Sequence, residues 1–168
     1  MIELIVSGGQ SGADLAGNIF AANFSIDTEI RTFTSFKPTD AADWPVYSQF
    51  RKHFIPELDS LDYIPALKAR TRYNVVHSDA TVLFIHSRLD RTKGSLYTFN
   101  LCGYWECRKP VIAIAETAEF TDSADELRRF LTRCRPKVLN IAGERDMDKD
   151  GVVAMLSYMY SSLDGAGW

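Results

Sequence analysis

The stretch Ile2-Glu3-Leu4-Ile5-Val6-Ser7-Gly8-Gly9-Gln10-Ser11-Gly12-Ala13-Asp14 decides how the chain reads. A short apolar run stops at two glycines, and Leu15, Ile19 and Ala22 then recur at helical spacing on the way to Asn23. That is a strand, a tight loop and a helix N-terminus in succession. The first amides of a helix have no partner inside it, and the helix dipole favours negative charge there. Gly8, Gly9 and Gly12 carry no Cβ, so a ligand can come close to the backbone. An anion such as phosphate suits the loop. A strand–helix turn that binds nothing has the same outline.

Outward from this unit, apolar runs alternate with helical segments. Glu29–Phe33, Ala80–Ile85, Pro110–Ala115 and Lys137–Ile141 read as further strands. Residues Ala66–Val76, Ser95–Cys107 and Asp150–Leu163 read as helices, as does a segment that opens on Asp122-Ser123-Ala124-Asp125-Glu126 and ends near Cys134. Thr34 to Pro65 is broken by Lys37-Pro38, Trp44-Pro45 and Ile55-Pro56 and reads as a long surface excursion holding one short helix. The alternation predicts an α/β fold of three layers, a mostly parallel sheet with helices on both faces and right-handed crossovers. The 168 residues suit one domain over 1–163, with 164–168 as a loose tail.

Charge and composition narrow the partners. A net charge of -3 argues against a nucleic-acid backbone as the main one. No apolar run approaches the roughly 20 residues a membrane span needs, and Ile2–Val6 reads as a strand rather than an export signal. Cys102, Cys107 and Cys134 form neither a disulfide framework nor a C-x-x-C pair, which fits free thiols in a reducing cytoplasm. His53, His77 and His86 lack zinc spacing, and no G-x-S-x-G elbow is present. Asp146-Met147-Asp148-Lys149-Asp150-Gly151 copies half a calcium loop, but its twelfth position is Ser157, so the acids read as a helix start. These observations predict no catalytic nucleophile, no metal and no cofactor.

In an open parallel sheet, ligands sit beyond the carboxyl ends of the strands. The candidate residues are therefore Gly8, Gly9, Gln10, Ser11 and Gly12 after the first strand, His86 after the Ala80 strand, and Gly143 and Arg145 after the last. Gln10 offers both a donor and an acceptor. Asp14 lies in the first helical turn, where it either stabilises the dipole or accepts a ribose hydroxyl. Gly94, Ser95 and Thr98 open a second helix start, with Ser95 as its cap. Arg70, Arg72 and Arg145 are candidates for clamping phosphate in a bidentate manner. Lys37 and Trp44 could form a lid. Tyr47, Tyr73, Tyr97 and Trp44 offer stacking surface, and Asn74 and Asp79 suit side-chain ties between helix and strand.

Four ordered motifs carry a resemblance to a known family. They are Gly8-Gly9-Gln10-Ser11-Gly12-Ala13-Asp14, Arg70-Thr71-Arg72-Tyr73-Asn74-Val75-Val76-His77-Ser78-Asp79-Ala80-Thr81, Gly94-Ser95-Leu96-Tyr97-Thr98 and Leu139-Asn140-Ile141-Ala142-Gly143-Glu144-Arg145. Together they resemble the putative molybdenum carrier family of the SLOG superfamily. The resemblance implies a Rossmann-like fold. It also implies a ligand site for a nucleotide-derived small molecule built from Gly8, Gly9, Gln10, Ser11, Gly12, Asp14, Lys37, Arg72, Asn74, Gly94, Ser95, Thr98, Gly143 and Arg145. The phosphoribohydrolase branch of the superfamily carries a glutamate after its P-G-G-x-G-T motif, and no glutamate stands at that place after Lys93-Gly94-Ser95. The resemblance therefore implies binding without turnover, as in sequestering a cyclic nucleotide or cyclic ADP-ribose-type defence signal, by a homodimer or homotetramer. Alternatives are a nucleotide hydrolase and a carrier of molybdate or a cofactor precursor.

Overall fold

The computed structural model describes residues 1–89, 93–104, 107–116 and 119–164, with only the backbone of Asp164. Six strands, β1 (Leu4–Ser7), β2 (Asp27–Thr32), β3 (Lys52–Phe54), β4 (Ala80–Ile85), β5 (Val111–Ala115) and β6 (Val138–Gly143), form one sheet in the order β3-β2-β1-β6-β4-β5. Every pairing is parallel. The helices are α1 (Ala13–Asn23), α2 (Trp44–Gln49), α3 (Tyr63–Val76), α4 (Lys93–Gly103), α5 (Phe120–Cys134) and α6 (Lys149–Asp164). This is the expected Rossmann-like α/β architecture. Among the described residues, no helix is long and apolar enough to cross a membrane.

Strand alternation sorts the core into two layers. Ile5, Val82, Phe84, Leu139 and Ile141 pack with Ala13, Ala16 and Phe20 of α1 and with apolar residues of α5 and α6. On the opposite face, Leu15, Ile30, Phe33, Phe36, Tyr47 and Ala66 form a second cluster reaching α2 and α3. Val75, Leu101 and Cys102 join α3 to α4. Burial on both faces explains why β4 reads as an unbroken apolar run, each of its residues being buried. Asn140 of β6 points away from Leu139 and Ile141, and its Nδ2 donates to Thr81 Oγ1 at 3.2 Å beneath α3 and α4.

Three segments differ from the sequence reading, the first being α4, which runs Lys93–Gly103 where Ser95–Cys107 was expected. The irregular stretch holds, besides α2, a third parallel strand. Lys52-His53-Phe54 is too short to show alternation and is held by backbone bonds, Ile30 N to Arg51 O and Ile55 N to Thr32 O, both 2.9 Å. Helix α3 starts at Tyr63, three residues earlier than expected, because Pro65 is tolerated in a first turn, where its missing N–H has no helical partner. Asp79 does tie elements together, since its Oδ2 accepts from the amides of Lys137 at 2.9 Å and Val138 at 2.8 Å, fixing the start of β6. The calcium-like run also behaves as a helix start, with Met147 in the core and Asp148 Oδ1 accepting from Asp150 N at 3.1 Å. The predicted tail lies outside the described residues apart from Asp164.

Candidate functional site

The loop after β1 is built by what its glycines allow. Gly12 has φ 74°, and a Cβ there would strike the backbone of Glu144 and Arg145 in the loop that follows β6. Gly9 has φ 71° and lies tight against Ile30 and Tyr47. These two glycines serve close packing of chain on chain. The loop amides also differ from expectation. Gly9 N donates to Ser7 Oγ at 3.1 Å, Ala13 N to Glu144 O at 3.3 Å, and Gln10 N reaches Asp14 Oδ2 at 3.4 Å. The amides of Gly8 and Gly143 lie near the same carboxylate and favour its charged form. The cradle expected for a phosphate therefore holds the protein's own carboxylate, because α1 turns its first-turn acid inward instead of toward solvent.

Beside Asp14 lies Arg70 of α3, only 5% exposed. Its Nη1 donates to Gly8 O at 2.8 Å, and its guanidinium lies 4.7 Å from the centre of the Phe36 ring. Burial raises Asp14 to about 6, against the opposing pull of Arg70 and the amides. Burial likewise lowers Arg70 from its ordinary value while Asp14 raises it, and a guanidinium keeps its charge under such pressure.

Above this pair opens a cavity of about 450 Å³ between α3 and α4, over the carboxyl ends of β1 and β6. Gly8, Gln10 and Asp14 form its floor with Arg70. Ile64, Leu67, Lys68, Thr71 and Asn74 of α3 form one wall, and Lys93, Gly94, Ser95, Tyr97 and Thr98 of α4 form another. Asn140, Ala142, Gly143 and Arg145 close it. Among the described residues the lining carries four cationic side chains, Lys68, Arg70, Lys93 and Arg145, against one acid, Asp14, which favours an anionic guest. Arg70 Nε, Asn74 Oδ1, Ser95 Oγ and Asn140 Oδ1 are shielded from solvent and have no hydrogen-bond partner in the protein. Four such atoms in the lining of one cavity are unusual, because buried polar groups are nearly always paired.

Nine of the expected ligand residues meet here: Gly8, Gln10, Asp14, Asn74, Gly94, Ser95, Thr98, Gly143 and Arg145. Five are placed elsewhere. Gly9 and Gly12 pack as described, and Ser11 Oγ accepts from Asp40 N at 2.9 Å. Lys37 and Arg72 are exposed and line no part of the cavity. Ser95 lies within α4, whose first residue is Lys93, rather than capping it. Tyr97 lines the cavity, while Tyr47 is core, Trp44 packs edge-on against Tyr47, and Tyr73 stacks on His77 at 4.0 Å. Ile64, Leu67, Lys68, Thr71 and Asn140 were not singled out from the sequence. The first four share with Asn74 the three- and four-residue spacing of one face of α3, which was the available signal.

A second recess, about 520 Å³, shares Gln10, Gly94, Ser95, Gly143 and Arg145 with the first and adds His86, Ser87, Arg88, Glu144 and Asp146. His86 Nδ1 lies 2.5 Å from Glu116 Oε2, and this bond is the main reason His86 stands above the usual histidine value. Its Nε2 lies 3.2 Å from Asp146 Oδ1 and 3.6 Å from Glu144 Oε2.

The comparisons with known proteins agree with this architecture. The structure of the putative molybdenum carrier protein from Syntrophus aciditrophicus superimposes with a TM-score of 0.74 at 25% identity, over 95% of this chain and 93% of that one. No match was found among curated proteins. The model of the circularly permutated YpsA SLOG family matches residues 5–163. A match over nearly the whole length establishes that the chain belongs to the circularly permutated YpsA SLOG family.

Proposed function

We propose that the protein binds a nucleotide-derived anion in the cavity between α3 and α4 and holds it without turnover. The observation that carries this reading is the set of unpartnered polar atoms on Arg70, Asn74, Ser95 and Asn140 in a cationic lining. A volume near 450 Å³ lies in the range of small-molecule and cofactor sites. Phosphate is met by Lys68, Lys93 and Arg145 at the mouth and by the Arg70 floor. Base or ribose is met by Tyr97, Gln10 and the two asparagines. Turnover is disfavoured because Asp14, the one acid among the described residues of this lining, is already engaged by nearby amides and Arg70. The finer form of the proposal is sequestration of a cyclic nucleotide or cyclic ADP-ribose-type signal by a cytoplasmic homodimer or homotetramer. The free thiols support a reducing compartment.

A second reading, a nucleotide hydrolase, draws on Asp14 itself, since a carboxylate raised to about 6 is poised for proton transfer. One experiment separates the two. The protein is mixed with cyclic dinucleotides and cyclic ADP-ribose, heat-denatured, and the released compound is read by mass spectrometry. Recovery of intact ligand in stoichiometric amount supports holding, whereas free base or a linearised product supports hydrolysis. Absence of binding, with molybdate captured in a parallel titration in the presence of sulfate, would transfer the cavity to the oxyanion reading that the solved relative's name suggests.

A further inference from the structure

The second recess gathers chemistry that the main cavity does not use. Its groups come from the carboxyl ends of three neighbouring strands, β6, β4 and β5. His86 follows β4, Glu116 follows β5, and Glu144 and Asp146 follow β6. We propose that His86, Glu144 and Asp146 form a binding site for a divalent transition-metal ion, with Glu116 as the residue that positions the imidazole.

The geometry fits. One ligand atom from each of the three lies within 4.8 Å of the others. His86 Nε2 is 3.2 Å from Asp146 Oδ1 and 3.6 Å from Glu144 Oε2. Bonds of about 2.0–2.2 Å at tetrahedral or octahedral angles place neighbouring ligand atoms roughly 3.0–3.6 Å apart. Two of the three separations are thus already near those an ion between the donors imposes, and all lie within 4.8 Å. Glu116 Oε2 sits on the other ring nitrogen at 2.5 Å. That carboxylate–imidazole pairing is how metal-bound histidines are oriented, because it keeps the proton on Nδ1 and turns the Nε2 lone pair toward the metal. Glu144 is anchored as well, its Oε2 accepting from His86 N at 3.2 Å.

The donor set points the same way. Three carboxylates surround one ring. One imidazole nitrogen with two carboxylates suits Mn²⁺ or Zn²⁺ better than Mg²⁺ or Ca²⁺, which prefer oxygen alone. The recess leaves room for water to complete the coordination. The metal's own ligand residues are not among those lining the main cavity, although the two recesses adjoin through Gln10, Gly94, Ser95, Gly143 and Arg145.

The test uses the full chain after chelator treatment. It is titrated with MnCl₂, and free Mn²⁺ is followed by electron paramagnetic resonance, with Zn²⁺ as competitor. One Mn²⁺ per chain is expected, displaced by Zn²⁺, with paramagnetic broadening of the His86 ring signals. Asp146 has a side chain 76% exposed, so D146N leaves the fold intact and is expected to weaken binding at least tenfold. H86A is expected to abolish binding, and E116Q to weaken it by about 10–100-fold through the ring orientation. Absence of stoichiometric Mn²⁺ and Zn²⁺ binding overturns the proposal. So does binding that D146N and H86A leave unchanged.

Discussion

Replacing Arg70 by Met tests the reading of the cavity floor most directly. The change keeps an unbranched apolar stem and removes the guanidinium. Gly8 O then loses its donor, and the ionised Asp14 carboxylate keeps only its amide partners. Breaking a buried ion pair from one side costs about 3–5 kcal/mol. The pH dependence gives the sharper signature. Asp14 is raised from 3.8 to about 6 in the folded chain, so between those values the folded state holds more protons than the unfolded one. The stability Asp14 contributes is therefore fully present below 3.8 and lost as the pH rises through about 6, a loss near 3 kcal/mol at about 1.4 kcal/mol per pH unit. Without Arg70 the carboxyl rises further, and the loss continues above pH 6. The deficit of R70M relative to wild type should then grow between pH 6 and pH 8, by up to about 3 kcal/mol. Urea unfolding at pH 5 and pH 8 measures it. The expected deficit is about 3–5 kcal/mol at pH 8 and about 1–3 kcal/mol less at pH 5. In the D14N background the pH difference should vanish. Equal deficits at both pH values would refute the charge coupling on which the electrostatics of the floor rest.

Two further substitutions separate binding from folding. S95A removes a buried hydroxyl that has no partner among the described residues, so stability in urea should not fall and should rise by about 1–3 kcal/mol, the cost of the unpaired group. Ligand affinity, read by calorimetry with whichever compound the recovery experiment identifies, should fall by about tenfold for one lost hydrogen bond. G143A should do the reverse of the first effect. Its Cβ would collide with the Phe84 backbone and the Ala13 side chain, where neither can yield cheaply, and a loss of about 1–3 kcal/mol or more is expected in the same unfolding assay. A G143A protein as stable as wild type would contradict the close contact between β6 and β4.

What the sequence made legible follows from local physics. The strand–loop–helix unit around Gly8 was readable because apolar run, glycines and helical spacing all lie within a few residues. Strand β4 was readable because burial on both faces leaves a continuous apolar signature. Two questions of direction were not. The motif Arg70-Thr71-Arg72 offers two arginines two residues apart, which a helix of about 100° per residue turns to opposite sides. Only the packing of α3 on Phe36 decides that Arg70 goes in and Arg72 out. Helix α3 mixes polar and apolar residues round its circumference, so the recurrence of Ile64, Leu67, Lys68, Thr71 and Asn74 at three- and four-residue spacing was the signal of its cavity face, and no apolar stripe set it apart. Asp14 was expected to face a ligand or solvent, and the inward turn of its carboxylate depends on Gly143, more than a hundred residues away.

That inward turn changes what the double-glycine loop is for. A backbone nest left open would attract any anion, phosphate and sulfate included. Here Asp14 fills it, so the loop's positive potential is spent within the protein and selectivity passes to the cations and amides of α3, α4 and Arg145. A guest that reaches both walls would meet side chains of α3 and α4 together. The unpartnered atoms on Asn74, Ser95 and Asn140 belong to α3, α4 and β6 respectively, three elements far apart in the chain. Each shielded polar atom without a partner costs the free protein about 1–3 kcal/mol, and only a molecule large enough to touch all three elements relieves that cost together. On the reading proposed above, the arrangement would select its guest by extent as well as by charge.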